Sequence, residues 1–339
     1  MSTLNPQISV IMPAWQSEAL IARTIDSILH QTFTRWELVV VDDCSTDATA
    51  QIVSRYAAKD PRIRLAHTDA PSGSALKPRA LAASLAVAPR VCAIDSDDTI
   101  APDYLERMLA RAEATGADIV MSRLQMSRDG STIPAADFDM ERIYTGAEAV
   151  ELSFTLMALN GAGALIRREL YDEAARRFPD DFCGMTADEL FTLKLEACAG
   201  TVAMCEALYV YHQHPESITN RFSFNQFSPL ENAHLTRRHF ASVIEPGAME
   251  YTCYVMLLNA AINYLNHRRC LTADERQRAR ALMRRNWAEI RWAEITRFPR
   301  AKRVAFALSF PTFMALIRLY LLVRRLLGVT FAVKIKQFS

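Results

Sequence analysis

The first 105 residues alternate short apolar runs with segments of helical periodicity, and each apolar run ends in a polar cluster. No other feature of the chain narrows the possible folds so far. "ISVIM" (8–12) is a β-branched run stopped by Pro13. From Ser17 to about His30, Leu20, Ile21, Ile25, Ile28 and Leu29 keep the spacing of one helical face. "WELVVVDD" (36–43) reads as a second strand, with Ser45 or Thr46 capping the helix that follows. "RIRLAH" (62–67), an Ala-rich helix over 79–88 and "RVCAI" (90–94) continue the series, and Pro102 opens another helix. Strands alternating with helices predict a doubly wound, mostly parallel α/β sheet, and unbroken apolar runs predict strands covered on both faces.

Sheets of this kind bind ligands in the crevice beyond the carboxyl ends of their strands. Three polar clusters fall at such ends: "PAWQ" (13–16), "DDCSTD" (42–47) and "DSDD" (95–98). They are expected to converge on one crevice.

The third cluster sets Asp95, Asp97 and Asp98 within four positions at the rim of the core. Like charges this close repel, and each resists desolvation, so the cluster calls for a cation. Mg²⁺ or Mn²⁺ suits carboxylate oxygens and can share phosphate oxygens with a substrate. On an extended strand end Asp95 and Asp97 would point the same way and Ser96 elsewhere. The plainer alternative is a solvated loop in which Asp98 or Thr99 caps the helix at Pro102. The second cluster admits two readings as well, a site for nucleobase and ribose or a capped helix start. Trp15 could stack on a base or belong to the core; Arg79 could meet a phosphate or lie on the surface.

"SVIMPAWQSEALIARTIDSILHQTF", "WELVVVDDCSTDAT", "KPRALAASLAVA" and "AIDSDDTIAPDYL" together resemble the family-2 nucleotide-sugar glycosyltransferases of GT-A fold, in that family's order and spacing. The resemblance covers about residues 7–125 and continues at "TADELF" and "YVYHQHPESIT". It implies a base-binding edge at Pro13, Trp15 and Asp43, with Asp42 shaping the turn, and Arg79 near the nucleotide. It implies a DxD pair in which Asp97 is the main metal ligand, Asp95 holds ribose or metal, and Asp98 is an extra acid. Asp188 falls at the general base, although Ala187 stands where the family has Glu. His214 matches a residue that completes the metal or diphosphate site, and His212 stands where Arg is common. The implied reaction is inverting transfer from a UDP-sugar, assisted by Mn²⁺ or Mg²⁺. Processive members carry a QxxRW motif and several membrane spans; neither occurs here, so a single addition is expected. A metal-dependent sugar nucleotidyltransferase and a non-catalytic nucleotide-binding scaffold are the competing readings.

The net charge of +1 conceals an asymmetry: from Arg268 onward there are 17 Lys/Arg against 4 Asp/Glu. A basic tail on an acidic body suits an anionic partner. Residues 304–323, "VAFALSFPTFMALIRLYLLV", approach the length of a bilayer span but contain Pro311 and Arg318. A helix lying on an anionic membrane surface is expected, and no nucleic-acid partner; a true span, a helix packed on the body and a dimer contact are the alternatives. A lipid-linked glycan acceptor, such as a polyprenyl-diphosphate oligosaccharide of exopolysaccharide assembly, would fit such a surface. Seven cysteines without CxxC spacing, and no basic-then-apolar leader, predict a cytoplasmic protein peripheral on the inner membrane face. The expected domains are a GT-A domain over 1–222, with a nucleotide half to about 125 and an acceptor half beyond it, then a helical region over 223–339 with its membrane segment at about 300–328.

Overall fold

The apolar runs become neighbours in one ten-stranded sheet. β1 (Ile8–Ala14), β2 (Trp36–Asp42), β3 (Ile63–His67) and β4 (Arg90–Ala93) lie side by side in the order β3-β2-β1-β4, all parallel. Helices α1 (Ile21–Leu29), α2 (Thr49–Ala57) and α3 (Leu76–Leu85) make the crossovers. Every residue of β1 and β2 is buried. Val10, Met12, Leu38 and Val40 pack with Ile21, Ile25 and Ile28 on one face, while Ile11, Val39 and Val41 pack with Ala82 and Ala83 on the other. The unbroken apolar runs are thus strands between two layers of helix. The computed structural model describes residues 5–128, 131–134, 139–156, 162–178, 182, 184, 187–213 and 222–326.

Beyond β4 the chain forms β5 (Thr99–Ile100), α4 (Tyr104–Thr115), β6 (Ile119–Arg128), β7 (Ser131–Pro134) and β8 (Ile143–Thr145). Then come α5 (Gly146–Leu156), β9 (Leu165–Arg167), α6 (Glu169–Arg177), α7 (Ala187–Cys198) and β10 (Thr201–His212). β9 runs antiparallel between β4 and β6, and β10 lies parallel to β6 with a register shift between Cys205 and Leu208. The sheet is parallel through its first four strands and mixed after them.

Local boundaries differ from the sequence reading in instructive ways. β4 stops at Ala93, and the Asp98 N–H bonds the Asp95 carbonyl at 3.2 Å, so the acidic cluster sits on a turn and not on a strand end. α2 starts at Thr49, where Asp47 accepts from the Thr49 N–H (3.0 Å) and hydroxyl (2.6 Å), the task expected of Ser45 or Thr46. Neither Asp98 nor Thr99 caps the next helix, which begins at Tyr104 with Asp103 at its N-cap.

The described residues fall into two compact units, one ending near 217 and one beginning near 218, with residues 154–156, 182, 184 and 187 counted in the second. The second unit contains α8 (Ser228–Phe240), α9 (Pro246–His267), α10 (Ala273–Glu289), α11 (Arg300–Ala307) and α12 (Phe310–Leu326). Its core gathers Phe227, Leu257, Ala261, Met283, Phe313 and Ile317. Thr272 and Glu275 close a reciprocal capping box at the start of α10.

Candidate active site

Hydrogen bonds tie the three strand-end clusters together. Gln16, just past β1, donates its N–H to Ser45 Oγ at 2.9 Å, and its side-chain oxygen accepts the Thr46 N–H at 2.7 Å. Ser17 Oγ lies 2.7 Å from Ser96 Oγ, joining the first cluster to the third. Gln16 (φ 49°) and Cys44 (φ 58°) both hold left-handed backbone without being glycine. Side chains other than Gly, Asn or Asp seldom accept that conformation, so both strand ends store local strain that the Gln16 bonds offset. The convergence expected from sequence is present.

Pro13 is buried in β1 opposite Val41 of β2. Trp15 is 53% exposed, so its indole belongs to the rim and not to the core. Asp43 is buried, with Oδ1 accepting from Thr68 Oγ1 (2.8 Å) and Oδ2 from Ser72 Oγ (2.8 Å); the Ser72 N–H reaches both oxygens at 3.0 Å. Those bonds clamp the 68–74 loop onto the end of β2. Asp42 shapes the turn as expected, accepting the Ser45 N–H at 3.1 Å and facing His67 Nδ1 at 3.4 Å.

Arg79, on α3, is almost wholly buried. Its guanidinium bonds Asp95 Oδ1 at 2.6 Å and stands 4.0 Å from Asp188 Oδ2. Burial works against the guanidinium charge, and Asp95 and Asp188 more than offset it, pushing its pKa above the usual arginine value. Asp188 occupies the first turn of α7, where helix N–H groups favour negative charge. The side chains of Asp95 and Asp188 remain 27% and 26% exposed. Three segments, at 79, 95 and 188, therefore meet at one partly open charged centre.

Along the acidic turn, exposure alternates. Asp95 and Asp97 are half-buried, whereas Ser96 and Asp98 point inward. Asp97 is held from behind, its carbonyl accepting Arg23 Nη2 at 2.7 Å, and the Ser96 carbonyl accepts Thr24 Oγ1 at 3.0 Å. Asp98 departs from its expected place among the metal ligands. It is fully buried, with Oδ2 accepting from the Tyr209 hydroxyl (2.7 Å) and Oδ1 from the His212 N–H (2.9 Å). Burial, then the charges of Asp95 and Asp97, push its pKa up to about 8. Asp98 anchors the acidic turn to the end of β10. The tight turn and the Tyr209 hydroxyl turn it inward, neither of which its neighbours in sequence announce.

His212 places Nε2 2.8 Å from Thr99 Oγ1, and burial followed by the charge of Arg23 lowers its pKa, favouring neutral imidazole. His214 lies outside the described residues. Among the described residues, no group of three or more His, Cys, Asp and Glu side chains is placed to hold a metal ion. Sequence reasoning missed Thr68 and Ser72, which grip Asp43, and Tyr209, which also meets the Asp95 N–H at 3.3 Å. "SGS" at 72–74 carried a turn signal; Tyr209, inside an apolar strand, carried none.

An α/β sheet with polar strand ends, a buried arginine between carboxylates and a clamped aspartate after β2 agrees with the GT-A fold that the resemblance implies. Residues 9–174 match the profile of Glycosyl transferase family 2, so the chain carries a domain of that family. The succinoglycan biosynthesis protein ExoO of Rhizobium meliloti is 33% identical over 233 residues, 63% of each chain. The putative colanic acid biosynthesis glycosyl transferase WcaA of Escherichia coli is 40% identical over 111 residues, 32% of this chain and 39% of that one. The chain thus spans less than two thirds of the length of these relatives. The crystal structure of Staphylococcus aureus TarS 1-349 in complex with UDP-GlcNAc superimposes with a TM-score of 0.70 at 19% identity, covering 96% of this chain and 93% of that one. At that identity the match establishes the fold.

Proposed function

We propose that the protein is an inverting glycosyltransferase that moves one sugar from a UDP-sugar to a hydroxyl of a lipid-linked glycan in exopolysaccharide assembly, at the cytoplasmic face of the membrane. The observation that carries this reading is the buried Arg79 set between Asp95 and Asp188 at the carboxyl ends of the strands. The similarity to ExoO and WcaA, proteins of succinoglycan and colanic acid biosynthesis, supports polysaccharide assembly as the setting. A hexose such as glucose is the proposed sugar; the UDP-GlcNAc in TarS makes N-acetylglucosamine the first competitor in a donor panel.

In this reading Asp43 and the Ser72 loop hold the uracil ring beside Trp15, and Pro13 shapes the floor of that edge. Arg79 orients Asp95 toward ribose and faces the diphosphate. Asp188 takes the proton from the acceptor hydroxyl as its oxygen attacks the anomeric carbon. The bond from that carbon to the diphosphate oxygen breaks on the opposite side, and nucleoside diphosphate departs. Asp95 and Asp97 fit a hard divalent cation that takes its remaining oxygens from substrate and water, because two half-exposed carboxylates leave most of its positions open. When bound, Mn²⁺ or Mg²⁺ supplies positive charge opposite the departing diphosphate.

The test is release of nucleoside diphosphate from a panel of sugar nucleotides, with Mn²⁺ or Mg²⁺ and a polyprenyl-diphosphate glycan acceptor. Acceptor-dependent release from a UDP-sugar supports the reading. Release of inorganic pyrophosphate from a nucleoside triphosphate would instead identify a nucleotidyltransferase.

A further inference from the structure

α12 is apolar on two opposite faces. Its inner face, Phe310, Phe313, Met314 and Ile317, is buried in the second unit. One hundred degrees per residue puts Ala315, Leu319, Leu322, Val323 and Leu326 on the opposite side. There Leu319 is 56%, Leu322 55% and Leu326 78% exposed. Arg318 and Arg325, seven residues apart, flank that strip on one side. Tyr320, 45% exposed, flanks it on the other. Val304 of α11 and Leu308 just after it are 54% and 68% exposed. A helix whose only partner is its own protein turns charges outward; this one turns leucines outward and sets arginines along the border.

The two helices meet at 119° across Leu308 and Ser309. Ser309 fixes the break: its carbonyl accepts the Phe313 N–H and its hydroxyl accepts the Thr312 N–H at 3.2 Å, with Pro311 in the first turn of α12. Among the described residues no single helix is long and apolar enough to cross a membrane. Seventeen residues of α12 reach about 25 Å, short of the ~30 Å hydrocarbon core. Spanning would also strip Phe313 and Ile317 from the core they fill. No Asp or Glu occurs after Glu294, while Arg297, Arg300, Lys302, Arg303, Arg318, Arg324 and Arg325 lie between there and residue 326. Repulsion among so many like charges disfavours a second copy as the cover, and an anionic lipid surface answers it.

We infer that the outer strip of α11 and α12 is a monotopic membrane-docking surface, with the helices lying in the plane of an anionic leaflet, leucines at acyl-chain depth and arginines at the phosphates. This deepens the membrane placement proposed above and does not depend on the transfer chemistry. The test is co-sedimentation of the full chain with vesicles of phosphatidylcholine alone or with roughly a third phosphatidylglycerol. The expected result is binding to anionic vesicles that weakens with salt. Leu319→Glu/Leu322→Glu should lower the partition by about tenfold or more, and Arg318→Gln/Arg325→Gln by a few-fold, with thermal melts unchanged. Donor-site integrity is read separately, as nucleoside diphosphate release with a water-soluble acceptor analogue, so failure of the transferase reading and failure of the docking surface stay distinct. Equal binding by the leucine variant overturns the surface. So does a wild-type dimer that the leucine variant dissolves, or resistance of the bound protein to alkaline extraction.

Discussion

Two regions bury carboxylates near arginine, and they do so to opposite ends. In the helical unit Glu250 is fully buried, with Oε1 accepting from Arg291 Nε (3.0 Å) and Oε2 from Arg237 Nη2 and the Arg291 N–H (3.1 Å each). That carboxylate is closed on both oxygens and ties α8, α9 and the segment after α10 together. At the strand ends Asp95 and Asp188 face the buried Arg79 yet keep about a quarter of their side chains exposed. A closed pair holds structure; an open one leaves coordination capacity for a ligand. Asp98 marks the line between the two within a single turn, being sealed inward while Asp95 and Asp97 stay half-buried.

The sharpest way to break this contrast is at Asp188. Asp188→Asn is expected to lower transfer by about 10³-fold with little change in donor affinity, measured by turnover and by calorimetric titration of the nucleotide sugar. Retained turnover would place the base elsewhere. Next is Asp97→Asn, which should cost about 10²-fold in turnover and blunt the response to Mn²⁺, as should chelation of wild-type protein. In contrast, Glu250→Ala should leave catalytic chemistry alone and destabilise the fold by roughly 3–5 kcal/mol in denaturant titration, because mostly buried Arg237 then keeps only its longer, 3.5 Å contact to Glu289. If Glu250→Ala abolished donor turnover while the melt stayed unchanged, the division into closed and open carboxylates would fail.

The smallest effect concerns Glu196, buried on α7 with Ser153 Oγ donating to Oε1 at 2.6 Å. Burial pushes its pKa up to about 8, against a normal value near 4.5. The folded state then keeps a proton that the unfolded chain releases between those values. Stability should fall as pH rises from about 4.5 to 8 and level off above, the opposite slope from a salt-bridged acid. Glu196→Gln should flatten that slope, seen as melting temperatures that differ by less between pH 5 and pH 8 than in the wild type.

The readable and unreadable parts of the chain divide along a physical line. β1, β2 and β4 were legible because strands covered on both faces write their burial as local apolar runs. β9 was not, since three residues, Leu165–Arg167, carry no period, and only β4 and β6 on either side make them a strand. The clusters at 13–16, 42–47 and 95–98 could be placed at strand ends, but the Gln16 and Ser17 bonds that join them could not. Asp43 stood out as an acid after a strand; its clamp by Ser72, 29 residues on, did not.

What the sequence determined by itself was the alternation of strands and helices, the acidic rim and the basic, leucine-bearing tail, because periodicity and composition act over a few residues. Only the tertiary structure decided that Arg79 meets Asp188, 109 positions away, that Asp98 turns in to Tyr209 while Asp97 does not, and that the leucines of α12 face out. Those outcomes rest on which surfaces pack against one another, and identical residue types in one short stretch are sorted only by what packing brings beside each.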